Sequence, residues 1–120
     1  MASGYKNLIV WQKAMKLTVA VYAATGKFPK QEQFGLTSQL QRAAVSIPSN
    51  IAEGSSRGDK DFHRFLTIAF GSGMEVETQL IIAKELNYLS EETCHELTLS
   101  LEEVMRMLNK LRSSKLVTKD

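Results

Sequence analysis

His63, His95, Cys94 and Arg57 are the residues of this 120-residue chain whose types could support bond-making chemistry. The chain has two histidines and one cysteine. A zinc site needs several Cys, His or carboxylate ligands at short spacings, and neither histidine belongs to an HExxH or paired Cys/His pattern, so no metal and no other cofactor is expected. Five residues separate Arg57 from His63. At that spacing an arginine could hold a scissile phosphate while a histidine takes the proton of a ribose hydroxyl, which is the chemistry of RNA cleavage. Arg57 falls in the segment Ser55-Ser56-Arg57-Gly58, however, and the simpler reading is a solvated loop arginine near a surface histidine. No catalytic residue is assigned.

Two other segments are unusual. Ser46-Ile47-Pro48-Ser49-Asn50-Ile51-Ala52-Glu53-Gly54 mixes apolar and polar positions as a plain surface helix would not. Ile47 and Ile51 share a helical face, Asn50 and Glu53 share the neighbouring one, and both polar side chains are expected to lie beside the core. Pro48 removes a backbone donor and is expected to kink its helix near Ala44, with Asn50 satisfying the carbonyl left over or one in an adjacent helix, so this motif reads as structural. Gly71-Ser72-Gly73-Met74-Glu75 lies inside another helical pattern, where each glycine costs about 1 kcal/mol relative to alanine. The compensation expected is close helix approach at Gly73. A phosphate-cradling loop is excluded because no strand precedes the segment and no Lys-Ser/Thr follows it. Ser72, Glu75 and Gln79 form a second stripe, either a buried polar network or a face for another subunit.

The elements that must position these residues are helices, since no useful stretch alternates apolar with polar. A first helix is read at about 8–25, with Leu8, Trp11, Met15 and Tyr22 on one stripe and Leu17, Val21 and Ala24 widening it. A second at about 35–54 carries Leu36, Leu40, Ala43, Ala44, Ile47 and Ile51. The third, at about 59–87, has Asp59 as expected N-cap and an unbroken seam from Phe62 through Leu66, Ala69, Gly73, Val76 and Leu80 to Ala83. Asn87 in the left-handed conformation ends it, Ser90 opens the fourth at about 90–113, and Cys94, Leu97, Leu101, Val104, Leu108 and Leu111 line that helix. The fold class is all-α, and short connections between such helices imply an antiparallel up-down-up-down four-helix bundle spanning 1–120 as one domain.

Composition agrees: 43% apolar and 23% charged residues suit a single compact core that needs no disulfide. The longest charge-free runs, Leu17–Gly26, Ala43–Ala52 and Phe65–Met74, are ten residues each, too short to span a membrane. A lone thiol and no secretory leader imply the cytoplasm. Net charge is only +2, which gives no global signature of nucleic-acid binding. Its distribution is uneven: residues 1–70 hold nine basic and four acidic residues, and residues 71–120 six basic and nine acidic.

Leu8-Ile9-Val10-Trp11-Gln12-Lys13-Ala14, Phe28-Pro29, Phe34-Gly35-Leu36-Thr37-Ser38-Gln39-Leu40, the string Arg42 to Gly54, and Gly71-Ser72 with Glu75-Val76-Glu77-Thr78-Gln79-Leu80 together resemble a known family. It is that of the four-helix-bundle proteins encoded in intervening sequences of bacterial 23S ribosomal RNA genes. The likeness runs from Tyr5 to Leu111; Asn87 stands where the family often has glycine, which alters only the turn. The resemblance implies a homopentameric ring and a relationship to the accessory protein of diversity-generating retroelements, which works beside a reverse transcriptase and nucleic acid. It supplies no catalytic residues. The Arg57/His63 spacing separately resembles that of the HEPN ribonucleases, also helical bundles.

The functional expectation is a non-enzymatic oligomer that binds RNA or a nucleoprotein through Lys6, Lys13, Lys16, Arg42, Arg57, Lys60 and Arg64. Two alternatives stand beside it: a protein-interaction scaffold without a nucleic-acid role, and a HEPN-like ribonuclease using Arg57 and His63. Helix 1 is apolar on more than one stripe, so part of its surface should face another copy. Helix 1 and the Ser72/Glu75/Gln79 stripe are the expected contact surfaces, and a charge at Val10 or Val19 is expected to dissociate the assembly. Ser46, Pro48, Asn50, Glu53, Gly54, Gly71, Ser72 and Glu75 are read as structural members of the family motif.

Overall fold

A computed structural model describes residues 4–116; residues 1–3 and 117–120, part of the expected single domain, lie outside the described residues. After a 3-10 turn at Gly4–Asn7 come four helices, α1 (Ile9–Thr25), α2 (Leu36–Ser55), α3 (Asp59–Glu85) and α4 (Glu91–Ser114), with no strand among the described residues. Each helix packs on two neighbours, in the cyclic order α1, α2, α3, α4. No contact joins α1 to α3 or α2 to α4, so these pairs are diagonal.

Cross-helix contacts set the register. Ser46 meets Ser72 while Gly54 meets Phe65, and Leu80 meets Cys94 while His63 meets Arg112. Thr18 meets Ala44 while Gln41 meets Thr25. In each pair the residue number falls on one helix as it rises on the next. The end where α2 turns into α3 therefore also holds the start of α1 and the last turns of α4.

The seams of α2, α3 and α4 follow the expected ones: Leu40, Ala43, Ala44, Ile47 and Ile51, the seam positions from Phe62 to Ala83, and Cys94 to Leu108 are buried, while Leu36 and Leu111, at the ends of theirs, are half-buried. The α1 stripe is different. Val10, Ala14, Leu17, Val21 and Thr25 face the core, while Met15 and Tyr22 are exposed. With apolar residues on several faces, α1 has no single stripe that periodicity can select, and the neighbouring helices decide. Val10 is only 4% exposed, so a charge there would disrupt the core; Val19, 65% exposed, is a surface residue.

Glycine allows the closest approach in the bundle. A Cβ on Gly54 would lie 2.6 Å from the Phe65 Cβ and 2.9 Å from a Phe62 ring carbon. A Cβ on Gly73 would meet the flexible Met105 side chain, which places Gly73 on the seam toward α4. The helix termini follow local chemistry. Gly58, not Asp59, is the N-cap of α3; Asp59 and Asp61 occupy its first turn, where acids suit the helix dipole. Asn87 adopts φ 64°, with Tyr88 N–H donating to Ala83 O at 2.8 Å and Asn87 N–H to Lys84 O at 2.9 Å, a Schellman ending. Ser90 Oγ then caps α4 by accepting from Thr93 N–H at 3.0 Å.

Pro48 is buried inside α2, and its missing N–H leaves the Ala44 carbonyl without an intrahelical partner. Asn50 does not fill that role. Its Nδ2 donates to Ser46 O at 2.8 Å and Ser46 Oγ at 2.9 Å within its own helix. The hydroxyl of Thr18 on α1 instead lies 3.1 Å from Ala44 O and 2.8 Å from Ala14 O. Glu53 is also corrected: it is exposed at the end of α2 and pairs with Arg57 at 2.6 Å.

Candidate nucleic-acid interface

The α2–α3 end of the bundle gathers cations from three parts of the chain. Arg57 leaves α2, Lys60 and Arg64 belong to the first two turns of α3, and Arg112 and Lys115 belong to the end of α4. Phe65 anchors the first group, with the Arg57 guanidinium 4.9 Å and the Arg64 guanidinium 4.8 Å from its ring centroid. Arg112 lies 4.5 Å from the Phe70 ring and the Lys115 ammonium 5.7 Å from that of Phe62. Such stacking fixes the cations on short aromatic supports while leaving their edges free to donate.

Acidic residues neutralise part of this surface. Lys115 reaches Asp59 at 3.7 Å, Arg64 is 4.0 Å from Asp61, and Arg57 pairs with Glu53. These pairs are solvent-exposed, hold their partners weakly, and can exchange a carboxylate for a phosphate at small cost. The opposite end, at the α3–α4 turn and the α1–α2 connection, carries Glu32, Glu85, Glu91 and Glu92 beside Lys27, Lys30 and Lys84, so its charges nearly balance. The excess of positive charge thus lies at the α2–α3 end.

Not all seven expected cations converge. Arg57, Lys60 and Arg64 do, and Lys6 enters at the same end, its carbonyl accepting from Gln12 Nε2 at 2.9 Å. Lys13 lies along the side, paired with Glu103 at 3.3 Å; Lys16 is on the outer face of α1 and Arg42 on the outer face of α2. Arg112 and Lys115 were missed because they are distant in sequence. The signal that could have found them was the antiparallel pairing of α3 and α4, which returns the end of α4 to the start of α3.

His63 Nδ1 donates to the Arg112 carbonyl at 2.9 Å, tying α3 to α4. No hydrogen bond joins Arg57 to His63 among the described residues. His95, beside Cys94 near the other end, is exposed, and Cys94 is buried with its thiol facing Leu80 O. No group of three potential metal ligands occurs among the described residues, and no helix there is long and apolar enough to cross a membrane.

The polar stripe between α2 and α3 divides. Ser72 is buried, with its hydroxyl 2.8 Å from that of Ser46, and Asn50 completes that network. Glu75 is exposed; Gln79 is half-buried, and its Oε1 is buried without a donor among the described residues. Gly71 is exposed, with open space where a Cβ would stand.

The model of a family described as 23S rRNA-intervening sequence protein matches residues 6–110. A crystal structure of a protein of unknown function from the S23 ribosomal protein family of Bacteroides thetaiotaomicron superposes with a TM-score of 0.81 at 21% identity, covering 88% of this chain and 96% of that one. At that identity the likeness concerns the fold. No curated protein matches the chain.

Proposed function

Because this chain belongs to the 23S rRNA-intervening sequence protein family, we propose that it is a non-enzymatic, oligomeric protein that binds RNA through the basic end of its bundle. One observation carries the reading: Arg57, Lys60 and Arg64 meet Arg112 and Lys115 at a single end, all but Lys60 against an aromatic ring. Cations spaced over two helix ends and a turn match a phosphate backbone, which is recognised by charge and position and not by base identity. Repetition of that end in an oligomer, a homopentamer by resemblance, multiplies a weak attraction through effective concentration. Arg57 and His63 act here as a phosphate contact and a helix tie, not as a ribonuclease pair.

The test is fluorescence anisotropy with a structured RNA across a salt series, using nuclease-treated protein. Affinity that falls linearly on logarithmic axes as salt rises supports the reading; no binding at low salt overturns it. A protein-docking scaffold without RNA is the second reading, favoured by Phe34, whose side chain stands 90% exposed between α1 and α2. Protein partners retained after nuclease treatment, in the absence of RNA affinity, would select it.

A further inference from the structure

The outer side of the α1–α4 pair holds an apolar groove left open by the described residues. Leu8, Ile9 and Val10 at the start of α1 and Met107 and Leu111 near the end of α4 form its walls, Lys110 and Ser114 are its polar members, and its volume is about 450 Å³. Met107, Lys110, Leu111 and Ser114 stand at i, i+3, i+4 and i+7, a single stripe of α4. Ile9 is 53% exposed and Leu8, Met107 and Leu111 are half-buried against the core, so aliphatic surface continuous with the core reaches water here.

The surroundings carry charge of one sign. No acid precedes Glu32 in the sequence, and none occurs in α4 after Glu103, a stretch that holds Arg106, Lys110 and Arg112. The acids that come near are already engaged: Glu103 pairs with Lys13 at 3.3 Å and Asp59 with Lys115 at 3.7 Å. Lys110 is exposed and has no ion-pair partner among the described residues.

These properties together describe the occupant. RNA suits the groove poorly, because no aromatic ring lines it for a base to stack on and its side chains offer one ammonium and one hydroxyl. The rings that steady the phosphate-binding cations, Phe62, Phe65 and Phe70, all belong to α3. A small molecule would stay largely in water in a depression open along one side. A helix laid along the seam between two others buries one stripe and keeps its flanks wet, a recurrent mode of peptide recognition. To fit here it needs aliphatic residues at i, i+3, i+4 and i+7 to cover Ile9 and Leu111, and carboxylates beside them to meet Lys110.

We propose that this groove docks an acidic amphipathic helix of a partner protein, with its aliphatic stripe on Ile9, Met107 and Leu111 and its carboxylates toward Lys110. The interaction goes beyond RNA binding and is independent of it, since neither Arg57 nor Arg64 lines the groove.

The experiment selects displayed random peptides of about 16 residues, roughly four helical turns, on nuclease-treated wild-type protein, and repeats the selection on the Ile9→Gln/Lys110→Glu double variant. Both substituted residues are exposed; circular dichroism and light scattering verify that the variant keeps the wild-type fold and mass. Peptides enriched on the wild type should be net acidic, with aliphatic residues at helical spacing. For one such peptide, fluorescence anisotropy should show about a tenfold loss of affinity for Ile9→Gln and again for Lys110→Glu, with Lys60→Ala unchanged. Replacing the peptide's glutamates by glutamine should abolish the difference between wild type and Lys110→Glu. No enrichment above the double variant, enriched peptides that are basic or lack the aliphatic spacing, or binding that survives replacement of the aliphatic residues by serine overturns the proposal. Groove substitutions that lower RNA affinity, with no peptide enriched, assign the groove to RNA and overturn it as well. Peptide docking in a wild type that binds no RNA supports this proposal and strikes the RNA reading alone.

Discussion

The Thr18 hydroxyl of α1 stands 3.1 Å from the Ala44 carbonyl of α2, the acceptor that Pro48 leaves without its amide. A position within the second helix thus depends on a side chain of the first. Thr18→Val keeps the shape but removes the donor, and should cost about 1–3 kcal/mol in urea unfolding because a buried carbonyl is orphaned. In a Pro48→Ala background the amide returns and the same substitution should cost much less. Equal losses in both backgrounds would contradict the assignment.

Tyr88 ties the α3–α4 turn to the connection before α2: its hydroxyl donates to Glu32 Oε2 at 2.9 Å, while Glu32 Oε1 accepts from Leu36 N–H at 3.0 Å. The hydrogen bond to Glu32, partial burial and the Glu32 charge all raise the Tyr88 pKa above its ordinary value. The folded state therefore holds this proton more tightly than the unfolded one, so the contribution is complete below about pH 10 and is lost as pH rises through the folded-state value. Phenolate absorbance should show one tyrosine ionising after the others, and Tyr88→Phe should remove that phase.

Gly54 and Gly71 should respond in opposite directions to the same substitution. Gly54→Ala forces the Phe65 Cβ away and should destabilise the fold by about 1–3 kcal/mol. Gly71→Ala meets nothing within the chain and should stabilise α3 by about 1 kcal/mol. Thermal melts of the two variants provide the comparison.

RNA affinity should depend on position along the bundle axis. Arg57→Ala, Lys60→Ala and Arg64→Ala should each reduce the salt slope by about 0.7–0.9 for every phosphate no longer neutralised. Lys84→Ala, near the opposite end, should leave it unchanged. A uniform response at both ends would mean that net charge, not the α2–α3 end, drives binding.

Three of the four helices could be read from the sequence because each has one dominant apolar stripe; the α3 seam from Phe62 to Ala83 is buried throughout. For α1 the sequence was ambiguous: Val10 and Val19 look alike in it, and only the packing of α2 and α4 buries the first and exposes the second. Asn50 was a reasonable candidate for the Pro48 vacancy, but the donor came from Thr18, 26 positions from Ala44, a separation that local pattern does not span. The basic end was half legible for the same reason. Arg57, Lys60 and Arg64 form a local cluster, whereas Arg112 and Lys115 join it only through the return of α4, seen in the His63–Arg112 and Asp59–Lys115 contacts.

That return has a practical side. Leu8 and Ile9 share a groove with Lys110 and Leu111, and Lys115 reaches Asp59, so the described chain enters and leaves the bundle beside Arg57 and Arg64. A fluorescent fusion joined directly at Gly4 or Leu116 would start from the very surface whose charge is to be measured, and an oligohistidine tag there would add titratable groups to it. A label placed on the α3–α4 turn, near Asn87, sits at the far end of the long axis and leaves that surface clear.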